Sequence, residues 1–170
     1  GVVNAAMKSG KRAVCAGPGN PPVLVDETAD LDKAARDIIF GAAYDNNLLC
    51  IGEKEVFVVD AVYHQFLQAF ENAGAFKLAQ SQLDQLEKVV FSYEDDGGGC
   101  SHPVLNREMV GKDATDLAAL AGTRAPAGTE LIFAETDASH AFVVEEQMTP
   151  MIPVVRVRDV EQGVADAKVA

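Results

Sequence analysis

Apolar positions along this chain alternate between two periods. Leu31, Ala34, Ala35, Ile38, Ile39 and Ala42 recur at intervals of three and four, which places one apolar stripe along an α-helix. Asp32, Lys33, Arg36 and Asp37 fall on the water side, and Asp30 stands where an N-cap is needed. The helix is expected to end near Asp45 to Asn47, because Asn tolerates the left-handed turn that such endings use. A second helix carries Val62, Phe66, Ala69, Phe70 and Ala73, with Asp60 as its cap and Gly74 as its end. Ser81 is expected to open a shorter one through Leu83, Leu86 and Val90. Asp113 opens another through Leu117, Leu120 and Ala121, stopped by Gly122. Val2 to Met7 reads as the tail of a helix punctuated by Gly10, and Asp159 starts a last one.

Between these lie short runs without the helical period: Val23 to Val25, Glu55 to Val59, Leu131 to Ala134 and Pro153 to Val157. Continuous Val, Phe and Ile content suits strands covered on both faces. Strands alternating with helices predict an α/β fold, a mostly parallel sheet flanked by helices. Residues 1–170 read as a single domain with no internal repeat and no long linker. The stretch Glu94 to Met109, with Glu94-Asp95-Asp96-Gly97-Gly98-Gly99 at its head, is the place for an excursion from the sheet.

Composition narrows the partners. An apolar fraction of 48% and a charged fraction of 24% over 170 residues describe an ordinary globular domain with a sizeable core. The formal net charge of -12 repels polyphosphate, which argues against nucleic acid. Lys8, Lys11 and Arg12 form the one basic cluster and read as a solvated face. No run is apolar for the length of a membrane helix. Cys15, Cys50 and Cys100 are an odd number without metal-type spacing, so a reducing cytosol is expected. The start shows no leader pattern and no initiator Met, and the last residues continue a helix-like run. Both ends are therefore expected to be cuts in a longer protein.

The candidate chemistry centres on Cys50. It sits in Asp45-Asn46-Asn47-Leu48-Leu49-Cys50-Ile51-Gly52-Glu53-Lys54, between an amphipathic helix and an apolar strand. A thiol at such a corner is rigidly held, partly exposed and close to backbone N–H groups, as a nucleophilic thiolate needs. The plain alternative is a small buried hydrophobe. Gly17-Pro18-Gly19-Asn20-Pro21-Pro22 matches no phosphate-binding pattern and reads instead as a tight backbone turn supporting a neighbouring site. His64, His102 and His140 are the histidines available for a Cys–His pair. Glu145-Glu146 reads either as a solvated helix start or as a carboxylate that accepts from a sugar diol.

Taken in order, these motifs resemble the aldehyde dehydrogenase superfamily. The resemblance is carried by Ala16 to Pro22, Val25 to Leu31, Asp45 to Cys50, Glu53-Lys54, Glu135-Thr136-Asp137 with His140, Glu145-Glu146 to Pro150, and Pro153 to Val157. The likeness is to the CoA-acylating branch, the acetaldehyde and propionaldehyde dehydrogenases of ethanolamine and propanediol utilisation. It implies that Cys50 is the nucleophile, that its backbone N–H donates to the oxyanion, and that Glu146 binds the nicotinamide ribose of NAD. It also implies that CoA, rather than water, accepts the acyl group. Hydrolytic members carry a water-activating Glu at the position of Ala16, and Ala cannot take a proton. Leu49 departs from the Pro or small apolar residue common beside the nucleophile, with at most a change in substrate fit. The resemblance places the NAD-binding domain, the second oxyanion donor and a C-terminal segment outside this chain, so the isolated piece is expected to be inactive. Implied partners are a small aldehyde, CoA, the remainder of the enzyme and further copies of it, with no membrane. The implied location is the cytoplasm, with a bacterial microcompartment as a further option. Two other readings stand beside it: a cysteine hydrolase or acyltransferase pairing Cys50 with His102 or His140, and a non-catalytic α/β interaction module.

Overall fold

The computed structural model describes residues 2–15, 19–95 and 101–169, with backbone alone at positions 2, 4, 94, 95, 101 and 102. The chain runs through α1 (Val2–Lys8), β1 (Pro22–Val25), α2 (Leu31–Ala43), β2 (Glu55–Val59), α3 (Tyr63–Asn72), β3 (Phe76–Lys77) and α4 (Gln80–Val90). It continues through β4 (Phe91–Asp95), β5 (Ser101–Leu105), α5 (Ala114–Leu120), β6 (Ile132–Thr136), α6 (Ala141–Val144), β7 (Met151–Val157) and α7 (Val160–Ala167). Five strands form one sheet in the order β1-β2-β7-β6-β3, every neighbouring pair parallel. The α/β expectation therefore holds.

Every residue of β2 is buried, because both faces of the sheet are covered. On one face Val56, Val58, Val154 and Phe133 pack under α2 and α3, against Ala35, Ile38, Phe66 and Phe70. On the other, Ile132, Ala134 and Met151 meet Leu83 and Leu86 of α4 and Leu117 of α5. Phe57, Val59, Val155 and Val157 meet Val143 of α6 in a third cluster, with Val160 and Ala167 packed against it. Odd and even strand positions thus feed opposite layers, as the pleat requires.

The end of α2 follows the predicted chemistry. Asp30 caps its start by accepting from the Lys33 N–H at 3.0 Å. Beyond Ala43, Asp45, Asn46 and Asn47 all take left-handed φ values of 49°, 51° and 61°. The helix at Asp159 is also capped as expected, its carboxylate accepting from the Gln162 N–H.

Other expectations are corrected. Asp60 caps nothing: Asp60–Val62 is a 3₁₀ turn without a side-chain cap, and the carboxylate pairs with Arg156 instead. Ser81 is not the start of α4. Ala79 is the N-cap, and its N–H donates to the Gln82 side chain at 2.8 Å. Asp113 does precede α5, but its side chain makes no cap bond and accepts from Asn46. The excursion after α4 is an antiparallel hairpin, β4 with β5, joined directly to α4. Its connection at residues 96–100, including Gly97 to Gly99 and Cys100, lies outside the described residues. The two-residue strand β3 and the single turn α6 were not expected from the sequence at all.

Phe70 is fully buried, stacked on Phe66 at 5.2 Å and tilted against Phe133 at 5.0 Å between ring centroids. It therefore joins α3 to the sheet. Phe70→Ala is expected to destabilise the fold by about 3–5 kcal/mol, measured by urea unfolding of the chain.

Candidate active site

In a parallel sheet the amino-terminal ends of all strands lie on one side. Cys50 precedes β2, Gly19 and Asn20 precede β1, and Glu146 precedes β7, and these three strands are neighbours. Topology alone therefore brings three distant segments to one edge.

Cys50 sits at a corner of the turn Leu49–Gly52, closed by the Gly52 N–H donating to the Leu49 carbonyl at 3.1 Å. Its side chain is exposed, so the buried-hydrophobe alternative does not describe it. Gly19 lies against it so closely that a Cβ there would stand 2.7 Å from the Cys50 carbonyl oxygen and 3.4 Å from the Cys50 Cβ. Gly19 thus gives the close backbone support expected of this segment, at a residue where a side chain has no room. Ala16, Gly17 and Pro18, including the position matched to the water-activating Glu, lie outside the described residues.

The base of the Cys50 loop is locked by side chains. Lys54 is fully buried, and its Nζ donates to the Asn47 carbonyl at 2.6 Å and to Asn47 Oδ1 at 2.8 Å. Asn47, also buried, returns an N–H from Nδ2 to the Glu53 carbonyl at 3.0 Å. Gly52 sits inside this clamp, with room for a Cβ only 3.0 Å from Asn47 Oδ1. Asn46 ties the preceding turn to the neighbouring segment, donating to the Gly111 carbonyl at 2.9 Å and to Asp113 at 2.8 Å. The carboxylate of Glu53 lies over Gly41 of α2, in the space a Cβ would fill.

A second lock joins the Cys50 segment to the Glu146 segment. Gln147 Nε2 donates to the Lys54 carbonyl and to the Phe142 carbonyl, both at 3.1 Å. Asn20 Nδ2 donates to the adjacent Val143 carbonyl at 2.6 Å. Glu145 and Glu146 are half-buried residues following α6, not the start of a helix. Burial pulls the Lys54 ammonium below its ordinary range, and the charges of Glu146, Cys50 and Glu55 push it back up. Those couplings show that the nucleophile candidate, the ribose candidate and the buried cation share one electrostatic neighbourhood.

Two of the histidines are committed elsewhere. His140 Nδ1 accepts from the Phe142 N–H at 3.2 Å, capping α6, and its Nε2 faces Glu87 at 3.5 Å. Neither nitrogen is directed at the thiol, which removes His140 from a Cys–His pair. His64 lies at the start of α3, against the Tyr63 ring, on the opposite edge of the sheet. The His102 side chain lies outside the described residues.

Sequence reasoning missed Asn20, Asn47, Lys54 and Gln147 as working parts. Their signal was weak: each is a polar residue beside an apolar run, which reads equally well as solvent-facing.

Glu55 is buried with both carboxylate oxygens unpartnered, and burial raises its pKa to about 8 against the pull of Lys54. A raised folded-state pKa means the native state holds the proton more tightly than the unfolded chain. Its stabilising contribution is full below about pH 4.5 and is lost as pH rises through about 8. Glu55→Gln removes that loss. The variant is expected to gain about 2–4 kcal/mol over the native chain between pH 5 and pH 9, measured by urea unfolding across that range.

Comparison with known proteins shows the family. Residues 1–86 match the family model described as "Aldehyde dehydrogenase family". Acetaldehyde dehydrogenase (acetylating) EutE of Salmonella typhimurium is 46% identical over 165 residues, covering 96% of this chain and 35% of the relative. A propionaldehyde dehydrogenase from the Clostridium phytofermentans fucose utilisation bacterial microcompartment superposes with a TM-score of 0.86 at 40% identity. That match covers 98% of this chain and 36% of the other. A propionaldehyde dehydrogenase of Rhodopseudomonas palustris, solved with bound CoA and an acylated cysteine, superposes with a TM-score of 0.85 at 36% identity, covering 98% and 36%. The chain spans about a third of the length of these relatives. On the matched family model and these likenesses together, the chain belongs to the aldehyde dehydrogenase family.

Proposed function

We propose that this chain is the nucleophile-bearing part of a CoA-acylating aldehyde dehydrogenase, with Cys50 as the attacking thiolate. The observation that carries the reading is the exposed thiol at the corner of a turn clamped by Asn47 and Lys54, backed by Gly19. A nucleophile held in one geometry spends little entropy reaching its target.

In this reading Cys50 Sγ attacks the aldehyde carbonyl carbon, and the carbonyl oxygen becomes an oxyanion facing the Cys50 backbone N–H. Collapse of that thiohemiacetal expels hydride and leaves an acyl thioester on Cys50. Bound NAD supplies the hydride acceptor. The thiol of CoA then attacks the thioester carbon, forming acyl-CoA and returning Cys50 as thiolate. The half-buried carboxylate of Glu146, on the same edge of the sheet as Cys50, is the acceptor type that a ribose diol requires, so the residues present fit the cofactor. Ala16 at the position of the water-activating Glu supports transfer to CoA over hydrolysis. The likeness to EutE and to the CoA-bound Rhodopseudomonas enzyme supports the same branch. The chain then acts as a single partial catalytic domain, completed by an NAD-binding domain and a C-terminal segment of the whole enzyme and assembled as a homo-oligomer. No described helix is long and apolar enough to cross a membrane. The Clostridium relative's microcompartment supports a cytoplasmic enzyme that is enclosed in such a shell.

Intact enzyme exposed to acyl-CoA is expected to gain one acyl group on Cys50, read by peptide mass spectrometry. Cys50→Ala is expected to lose that adduct and to lower NADH formation more than about 10³-fold. Acylation at Cys15 or Cys100 instead would overturn the assignment. The 170-residue chain alone is expected to form no NADH from aldehyde, NAD and CoA. A rate above background would show that it holds a complete site.

A further inference from the structure

The two halves of the site come from segments 93 residues apart, and one side chain bridges them. Gln147 is fully buried, and its carboxamide gives one N–H to the Lys54 carbonyl at the root of the Cys50 loop. The other N–H goes to the Phe142 carbonyl in α6, the turn that leads into Glu145 and Glu146. Gln147 is also the residue directly after Glu146, so its placement fixes where the Glu146 backbone ends. Only a neutral side chain with two donors on one nitrogen can serve two carbonyls in this way. Leu or Met offers no donor, and Lys would bury a second cation beside Lys54.

We propose that Gln147 is a positioning residue that fixes the Glu146 carboxylate relative to the Cys50 thiol, so that the ribose-binding and acyl-accepting functions stay in register. This rests on the reading of Cys50 and Glu146 given above. Asn20, donating to the neighbouring Val143 carbonyl, holds the Gly19 support to the same turn of α6. Gln147 therefore acts through Glu146 and touches no reacting atom.

The role separates two measurements that a merely structural residue would move together. In the intact enzyme, Gln147→Leu is expected to weaken NADH binding about tenfold, read by equilibrium fluorescence titration, since a displacement near 1 Å is costly at such a site. Acylation of Cys50 by acyl-CoA, read by mass spectrometry, should fall several-fold less than NADH binding does, because the Asn47–Lys54 clamp still holds the Cys50 loop when the Lys54 carbonyl loses the Gln147 donor. Gln147→Glu keeps the shape but puts a carboxylate against two carbonyl oxygens. Its NADH binding should be as weak as that of the Leu variant at pH 8 and should recover as pH falls and the introduced carboxyl regains a donor. Unchanged NADH affinity in both variants would overturn the proposal, and so would equal losses of NADH binding and Cys50 acylation. A native enzyme that is never acylated on Cys50 would instead overturn the reading of the nucleophile, a different result from either of these.

Discussion

A buried ammonium is the constraint around which this site is arranged. Lys54 has no exposure, and taking such a charge out of water costs several kcal/mol. Two charge-assisted hydrogen bonds to Asn47 return about 1.5–3 kcal/mol each, which is close to the cost. The Glu146 carboxylate adds to that balance. Satisfying Lys54 forces residues 47 and 54 together, and the six residues between them must then loop outward. Cys50 lies in that loop, so the exposure of the thiol follows from the burial of the lysine.

The sheet decides where the loop points. Ligands of open α/β sheets commonly gather at the carboxyl ends of the strands, yet here Cys50, Gly19 and Glu146 gather at the amino ends of β2, β1 and β7. The carboxyl ends are filled by side chains that satisfy one another. Tyr63 donates to Glu135 at 2.8 Å, Lys77 pairs with Glu135 at 2.5 Å, and Arg156 pairs with Asp60 while lying 5.3 Å from the Tyr63 ring centre. Burial alone would raise the Glu135 pKa, but the bonds from Lys77 and Tyr63 hold it below its ordinary value. A network closed on itself rigidifies that edge, and the exposed Cys50 thiol stands at the opposite, amino edge.

Much of this was legible in the residues, for a definite reason. The stripe from Leu31 to Ala42 and the unbroken run from Val56 to Val59 report burial directly, and burial sets both helix faces and two-sided strands. β3 was not legible because two residues, Phe76 and Lys77, carry no period. The hairpin was not legible because α4 passes into β4 at Phe91 with no Gly, Pro or Asn to mark the change. Cys50 stood out because its corner is local in sequence. Lys54 and Gln147 did not, because their roles depend on carbonyls and charges brought in by the sheet, and a lone Lys beside a strand ordinarily faces water. Asp60 misled for the same reason: a good cap residue found a stronger partner in Arg156, ninety-six positions away.

The left-handed run at Asp45, Asn46 and Asn47 shows how local strain is held in place here. Three consecutive non-Gly residues in that region cost on the order of 1 kcal/mol each, and an isolated chain would relax them. Asn46 cannot relax without releasing Gly111 and Asp113, and Asn47 cannot relax without uncovering the Lys54 ammonium. Each Asn is therefore fixed twice, once by the backbone conformation it tolerates and once by the amide it presents. Glycine would ease the backbone and lose both sets of bonds, whereas Gln would keep an amide but sit poorly in the left-handed region. The strain is thus the counterpart of the clamp: the turn is bent so that its side chains reach inward, and Cys50 is carried outward by the same bend.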